Sequence, residues 1–553
     1  MDCGSCVTPA VREDRPHTFL AHAMDVCPGC ASVKEARVVI RDHAVWHLVF
    51  CAACGQSERQ IDPDAKAWLQ AWLARGRGAA AEPTGDHPWK RTTSTCPTCL
   101  ALTEAVVVMR EGKVYFQKDC PTCGPSEAMV SEDADYYVNA YAYARSGTRP
   151  FEFSAKVEAG CPTDCGVCDD HEQHTCLPII EVTDHCNLEC PICIVNNQYS
   201  THISNEAFTR IIDGLVRKEG YLDSIALSGG EPSSHPRILE LLDIADRPEI
   251  ARVVLITNGL RLGRDRAFAL ELKRRGVYVG LQLDGTSAET HTRIRGRDLT
   301  REKAAALTMI RELDLPTQLI CVVARGVNDE EVGDVVRLFL ETDAIISLNF
   351  QPAAYTGLGG AGFVHDPMDR VTIPGLVRRA EEQTGGLVRR SDFFPLPCSH
   401  PQCVSLTYLL KLDDGRSVPF PRFVNFDRHL NLLRSSAVLP ATKDVEDSLQ
   451  DTLYDVWSRQ DEIEDAPLIL AAMKRTLAVM FPDRVLDHKE AARIGERQAK
   501  SIFLHHYMDR HDFDLERLRK CCHHYPQEDG RVMPACGFNM FHRGAAKPPG
   551  QTL

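Results

Sequence analysis

The chain has 553 residues, with 63 basic against 77 acidic side chains and a formal net charge of −14. That balance argues against a protein whose main task is to grip phosphate backbones, so nucleic acid is a poor partner. No run approaches the roughly 18 apolar residues needed to span a bilayer, and the first residues show neither a signal nor a transit pattern. The expectation is a soluble, cytoplasmic protein that could still touch a membrane surface.

Twenty-three cysteines dominate the composition, and all but Cys321 fall in short-range clusters. Disulfide scaffolds belong to small exported domains, so metal ligation is the better reading. Cys321 stands in the apolar run Leu319-Ile320-Cys321-Val322-Val323 and reads as a core residue. In chain order, Cys3 and Cys6 form a CxxC without an obvious partner. The segments from Cys27 to Gly55 and from Cys96 to Gly124 then match in length, cysteine spacing and apolar pattern, an internal repeat. Each is a CxxC, twenty residues alternating like a β-hairpin, and a second CxxC followed by Gly. Two such knuckles give four thiolates in tetrahedral array: Cys27, Cys30, Cys51 and Cys54 in one ribbon, and Cys96, Cys99, Cys120 and Cys123 in the other. Each suits zinc or a single iron. Between them, 62–77 has helical spacing and 76–89, rich in Ala, Gly and Pro, reads as a linker. The ribbons are expected to be separate small modules.

From Leu177 onward, strand-like runs alternate with amphipathic helices: 179–182, 224–227, 253–257, 278–283, 317–323 and 345–350. The fold class is α/β, and six strands suit a partial (β/α)6 barrel better than a closed one of eight. Beyond about Gln383 regularity fades, and a long helical stretch is expected over 489–520. The expected boundaries are 1–60 for the first ribbon with its terminal CxxC, 61–92 for helix and linker, and 93–130 for the second ribbon. An auxiliary cluster segment follows over 131–178, the barrel over 179–382 and a C-terminal auxiliary region over 383–553.

Cys186, Cys190 and Cys193 follow directly on the first barrel strand. Three thiolates bind three irons of a cubane and leave the fourth open, where the amino and carboxylate groups of a methionine can chelate. Ser228-Gly229-Gly230-Glu231-Pro232 ends the second strand, Thr257-Asn258-Gly259 the third, and Gln282-Leu283-Asp284-Gly285 the fourth. In this series the chain resembles the radical S-adenosylmethionine (SAM) superfamily over roughly 177–352. The resemblance implies a [4Fe–4S] cluster that reductively cleaves SAM to a 5′-deoxyadenosyl radical, with an electron donor such as ferredoxin or flavodoxin as partner. It further implies that Ser228 to Pro232 run along the methionine, with Glu231 helping to bind its ammonium. Asn258, Gln282 and Asp284 would then meet the ribose and carboxylate. Where the superfamily often has an aromatic residue before the last cysteine, this chain has Ile192, so adenine contact there would be aliphatic.

Two further groups suit closed four-thiolate clusters: Cys161, Cys165, Cys168 and Cys176 before the barrel, for which zinc is the bland alternative, and Cys398, Cys403, Cys522 and Cys536 after it. One of the adjacent pair Cys521 and Cys522 reads as spare. Within the superfamily, 93–543 is most similar to the tetraether lipid synthases and their pterin-methylase relatives. The similarity rests on the second ribbon, the Cys161–Cys176 segment, Ile294-Arg295-Gly296-Arg297-Asp298, Arg325-Gly326-Val327-Asn328-Asp329, Asn349-Phe350-Gln351-Pro352 and the Cys398 and Cys521-Cys522 segments. It implies two auxiliary [4Fe–4S] clusters, and a small-molecule or lipid substrate functionalised at an unactivated sp3 carbon. Carbon–carbon bond formation on an alkyl chain is the expected reaction; methyl transfer to a pterin-like ring and peptide modification are the alternatives.

Overall fold

The computed structural model describes residues 12–158, 160–195, 200–360, 362–438, 442–482, 484, 486 and 488–543. Cys3 and Cys6 lie outside the described residues. The first ribbon is an antiparallel sheet of β1 (Thr18–Val26), β2 (Val33–Arg41), β3 (Ala44–Cys51) and β4 (Gly55–Asp62). The second repeats it with β5 (His87–Thr95), β6 (Leu102–Arg110), β7 (Lys113–Cys120) and β8 (Gly124–Ser131). Both central hairpins turn on two residues with positive φ, Asp42-His43 and Glu111-Gly112, the geometry that matches strand twist.

A helix over Ala65–Ala81 joins the ribbons. It runs on through Gly76 and Gly78 and consumes much of the segment that composition marks as linker. Gly76 is required there, because a Cβ would lie 2.8 Å from the Trp89 ring and 2.9 Å from Val138. Trp72 from this helix, Trp89 from β5 and Tyr137 and Tyr141 beyond β8 form one aromatic core, with Trp72 edge-on to Tyr141 at 5.2 Å between centroids. The ribbons are not detached modules, since both dock on the segment after His506. Thr92 donates to Asp514 (2.7 Å), the His22 amide to Glu516 (2.7 Å), and Lys118 to the His511 carbonyl (2.8 Å); Lys90 pairs with Glu516.

The barrel has the six expected parallel strands: β9 (Leu177–Thr183), β10 (Ile225–Gly229), β11 (Val253–Thr257), β12 (Tyr278–Gln282), β13 (Thr317–Val323) and β14 (Ile345–Pro352). They pair in sequence order, each with the next. The intervening helices bury one apolar stripe against them. In the helix Asn205–Glu219 this stripe is Ala207, Phe208, Ile211, Ile212 and Leu215, capped by the Ser204 side chain.

The region after Gln383 is more regular than its sequence suggests. Short β15 (Phe394–Pro395), β16 (Val404–Lys411), β17 (Ser417–Pro419) and β18 (Ala499–His505) extend the sheet, with β18 parallel to β14 and antiparallel to β16. On the other edge β19 (His523–Pro526) joins β9, and β20 (Val532–Pro534) follows it. The helix expected over 489–520 is therefore three pieces: a helix His488–Gln498, strand β18 and a short helix Leu515–Arg519. Strand alternation in Lys500, Ile502 and Leu504, all buried, wins over helical propensity because two neighbouring strands await it. Among the described residues no helix is long and apolar enough to cross a membrane.

Candidate active site

The loop after β9 carries Cys186, Cys190 and Cys193, and the Asp184 carboxylate fastens its two arms by accepting the Thr201 hydroxyl (2.9 Å). The Leu188 amide lies 3.4 Å from the Cys186 sulfur, while Leu188, Leu260 and Leu299 pack against Cys186 and Cys190. Burial pushes the Cys186 thiol up to about 12 and raises that of Cys193, so these thiols ionise on binding a cation rather than in its absence. Three soft donors on one short loop are the donor set of an iron–sulfur cluster with an open position, although their sulfurs are not gathered within 4.8 Å of one another as those of the ribbons are.

The glycines of the next strand end are explained by this loop. Gly229 has φ +124°, and a Cβ there would lie 2.1 Å from the Thr183 carbonyl oxygen; one at Gly230 would lie 2.3 Å from that of His185. They allow β10 to press against the cysteine loop. Glu231 is buried and its carboxylate is engaged within the chain, accepting from the Ser233 amide (3.0 Å), the Thr257 hydroxyl (2.7 Å) and the Asn258 amide (2.7 Å). It ties the ends of β10 and β11 together. Pro232 starts the short turn that follows.

Asn258 donates to Asn187 (2.7 Å) in the cysteine loop, and Gln282 and Asp284 are linked by their side chains. Two cations to which the motif reading gave no role organise them. Arg295 makes a bidentate pair with Asp284 (2.6 and 2.8 Å) and lies against Cys190. Lys303 donates to the Asn258 carbonyl (2.8 Å) and to the Gln282 side chain (2.9 Å). Ile192 packs in a buried cluster with Ile294, Ala353 and Tyr355.

Burial draws the Lys303 pKa down to about 8. Its unfolded value is roughly 10.4, so between these the unfolded chain binds the extra proton and stability rises with pH. Below about 8 both states are protonated and the penalty is constant. Denaturant unfolding across this window is expected to show the stability of the parent rising relative to Lys303→Met. A constant difference would contradict the assignment.

The auxiliary thiols group differently from their spacing. Cys176 does not join Cys161, Cys165 and Cys168; its sulfur lies with those of Cys398 and Cys522, all within 4.8 Å of one another. The reason is topological: Cys176 immediately precedes β9, and the backbone amides of Cys176 and Leu177 both donate to the Cys522 carbonyl where β19 joins β9. This triad lines a cavity of about 450 Å3 in the barrel interior that is also lined by Ser228 and by Ile194 of the cysteine loop. Ile179, Ala226, Ile256 and Ile320 make much of its wall. Asn349 Oδ1, His505 Nδ1 and His523 Nδ1 are buried polar atoms of this lining that have no hydrogen-bond partner among the described residues. Burial lowers the His523 pKa to about 4 and that of His505 well below the usual range, leaving neutral imidazoles. In each ribbon the four thiols lie within 4.8 Å of one another and fit a tetrahedral ion.

Residues 180–339 match the family described as the Radical SAM superfamily, and residues 88–132 match the HMPTM N-terminal zinc ribbon domain. The chain is 29% identical over 487 residues to the 7,8-dihydro-6-hydroxymethylpterin dimethyltransferase of Methanocaldococcus jannaschii, covering 82% of this chain and 94% of that protein. It is 34% identical over 179 residues to a GTP 3′,8-cyclase of Syntrophomonas wolfei, spanning 31% of this chain and 53% of the cyclase. Among solved structures, a radical SAM methyltransferase from Sphaerobacter thermophilus covers 56% of this chain and 78% of its own, at 16% identity and a TM-score of 0.27.

Proposed function

We propose that this enzyme, whose residues 180–339 match the Radical SAM superfamily, methylates a small heteroaromatic, pterin-like substrate held in the barrel cavity. The observation that carries the reading is the three unpartnered polar atoms of Asn349, His505 and His523 in an otherwise largely apolar wall. A buried polar group without a partner costs about 1–3 kcal/mol, which a ring bearing donors and acceptors would recover. Similarity to a pterin dimethyltransferase over most of both chains supports it, and moves the preference away from the alkyl coupling expected from sequence.

When bound, the cluster at Cys186, Cys190 and Cys193 supplies the electron that cleaves SAM and so starts hydrogen abstraction from carbon. The chain positions and shields. Glu231 and Lys303 fix three strand ends around the pocket, Arg295 sets positive charge beside the thiolates, and the apolar wall keeps water from the reacting carbon. Cys176, Cys398 and Cys522 would hold an auxiliary cluster facing the same cavity.

A second reading is favoured by the apolar wall itself. An alkyl chain gains about 0.8 kcal/mol per buried CH2, so two such chains joined at carbon would also be accommodated chemically. Anaerobic incubation with methyl-labelled SAM, reductant and 7,8-dihydro-6-hydroxymethylpterin separates the two. Labelled methyl on the pterin is expected, donated by a second SAM, because the SAM that is cleaved leaves its own methyl on methionine. Formation of 5′-deoxyadenosine with unlabelled pterin, alongside joined chains from an added alkyl lipid, would overturn methylation in favour of coupling.

A further inference from the structure

Cys521 and Cys522 are neighbours in the chain, but only Cys522 borders the barrel cavity. They lie immediately before β19. Cys522 points to the triad, 4.0 Å from the Cys398 sulfur. Cys521 is absent from the lining of the barrel cavity; it lines a second, small cavity with Cys403 and Cys536, which Cys522 also borders.

That second group is dressed as thiolates are. The Met508 amide points at the Cys536 sulfur (3.3 Å), and the Arg517 guanidinium at that of Cys403 (3.4 Å). Arg517 is buried, donates otherwise to the His506 carbonyl (2.6 Å) and, among the described residues, forms no ion pair with a carboxylate. The Asp512 carboxylate acts on this guanidinium from beyond ion-pair distance and is itself paired with Arg370 (3.5 Å) and His506 (3.0 Å), so anionic sulfur against Arg517 would supply the direct counter-charge that a buried guanidinium favours. Neutral thiols would not.

We infer that Cys521 and Cys522 are both metal ligands and serve two different iron–sulfur clusters, Cys522 with Cys176 and Cys398, Cys521 with Cys403 and Cys536. Neither is spare. One peptide bond then joins the cluster at the substrate cavity to a second behind it, a short path for electrons. The inference rests on the auxiliary thiols holding clusters, but not on the identity of the substrate.

The test is iron and sulfide analysis with electron paramagnetic resonance on the full chain, reconstituted anaerobically. Iron well above one cubane plus the ribbons in the parent establishes auxiliary clusters; its absence defeats that premise and the inference with it. Cys521→Ser and Cys522→Ser are each expected to lose about four irons and to lose different signals. Cys536→Ser should reproduce the first spectrum and Cys398→Ser the second. Full iron in either single variant, or loss of the same signal in both, overturns the inference. Ribbon metal content reports whether a variant has folded, and the reduced parent decides independently. Clusters joined by one peptide unit are expected to show magnetic coupling, and a spectrum of isolated clusters contradicts the assignment.

Discussion

Alanine at Cys186, Cys190 or Cys193 is expected to abolish formation of 5′-deoxyadenosine from SAM, with each variant falling to the background of protein without iron. The loop after β9 offers three thiols, and a cubane with an open iron needs all three. A survivor pair leaves two irons without protein ligands, and the cluster is lost rather than weakened. Among the described residues the loop contains no buried substitute: Leu188, Leu260 and Leu299 surround the thiols, and Arg295 beside Cys190 is a cation. Cys321→Ala is the control, because its side chain is buried in the barrel core and belongs to none of the thiol groups. It should keep SAM cleavage. Cleavage retained by any of the three loop variants would contradict the assignment.

Asp284→Ala is expected to cost about 3–5 kcal/mol of stability. The Asp284 side chain is fully buried and that of Arg295 nearly so, and the two bidentate bonds compensate a charge that water cannot reach. Asp284 also accepts the Val322 amide (3.0 Å), so alanine orphans a backbone donor at the same time. Asp284→Asn keeps an acceptor for that amide and should fall between parent and alanine. Replacing both partners by apolar residues, Asp284→Leu with Arg295→Met, should cost less than Asp284→Ala, because no unpaired charge remains. Denaturant midpoints of the apoprotein measure all four chains. A loss below about 1 kcal/mol would put the pair on the scale of an exposed salt bridge and contradict its role.

Much of the barrel is legible in the sequence. Its strands are buried on both faces, so they read as short apolar runs, and all six appear where those runs lie. The ribbons are legible too, because one repeat fixes both hairpin and knuckles. The C-terminal strands are not. Lys500 looks like a surface residue, yet it is buried, donating to the Phe339 and Thr342 carbonyls (2.6 and 2.8 Å), and nothing local announces those acceptors. The helix expected there follows from that blindness.

At the site, spacing identifies the thiols but not their company. Cys176 follows Cys168 closely in sequence, and only the pairing of β19 with β9 shows that it faces Cys522 instead. Arg295 stands within a motif that carries the resemblance, but its contact with Asp284 depends on how the helix Ala288–Arg295 returns to the barrel. Lys303 gives no signal beyond its place in an amphipathic helix. Its importance comes from burial against carbonyl oxygens of two strand ends. The Gly-Gly-Glu run was readable as a motif, while the closeness of its backbone to the cysteine loop required coordinates.

The most direct test of the central claim uses the parent protein alone. Reconstituted anaerobically with iron and sulfide, then given SAM and a strong reductant, it should release 5′-deoxyadenosine, and the resonance of the reduced cluster should change when SAM is added. A protein that carries its full iron complement yet forms no 5′-deoxyadenosine, with a spectrum indifferent to SAM, would contradict the account.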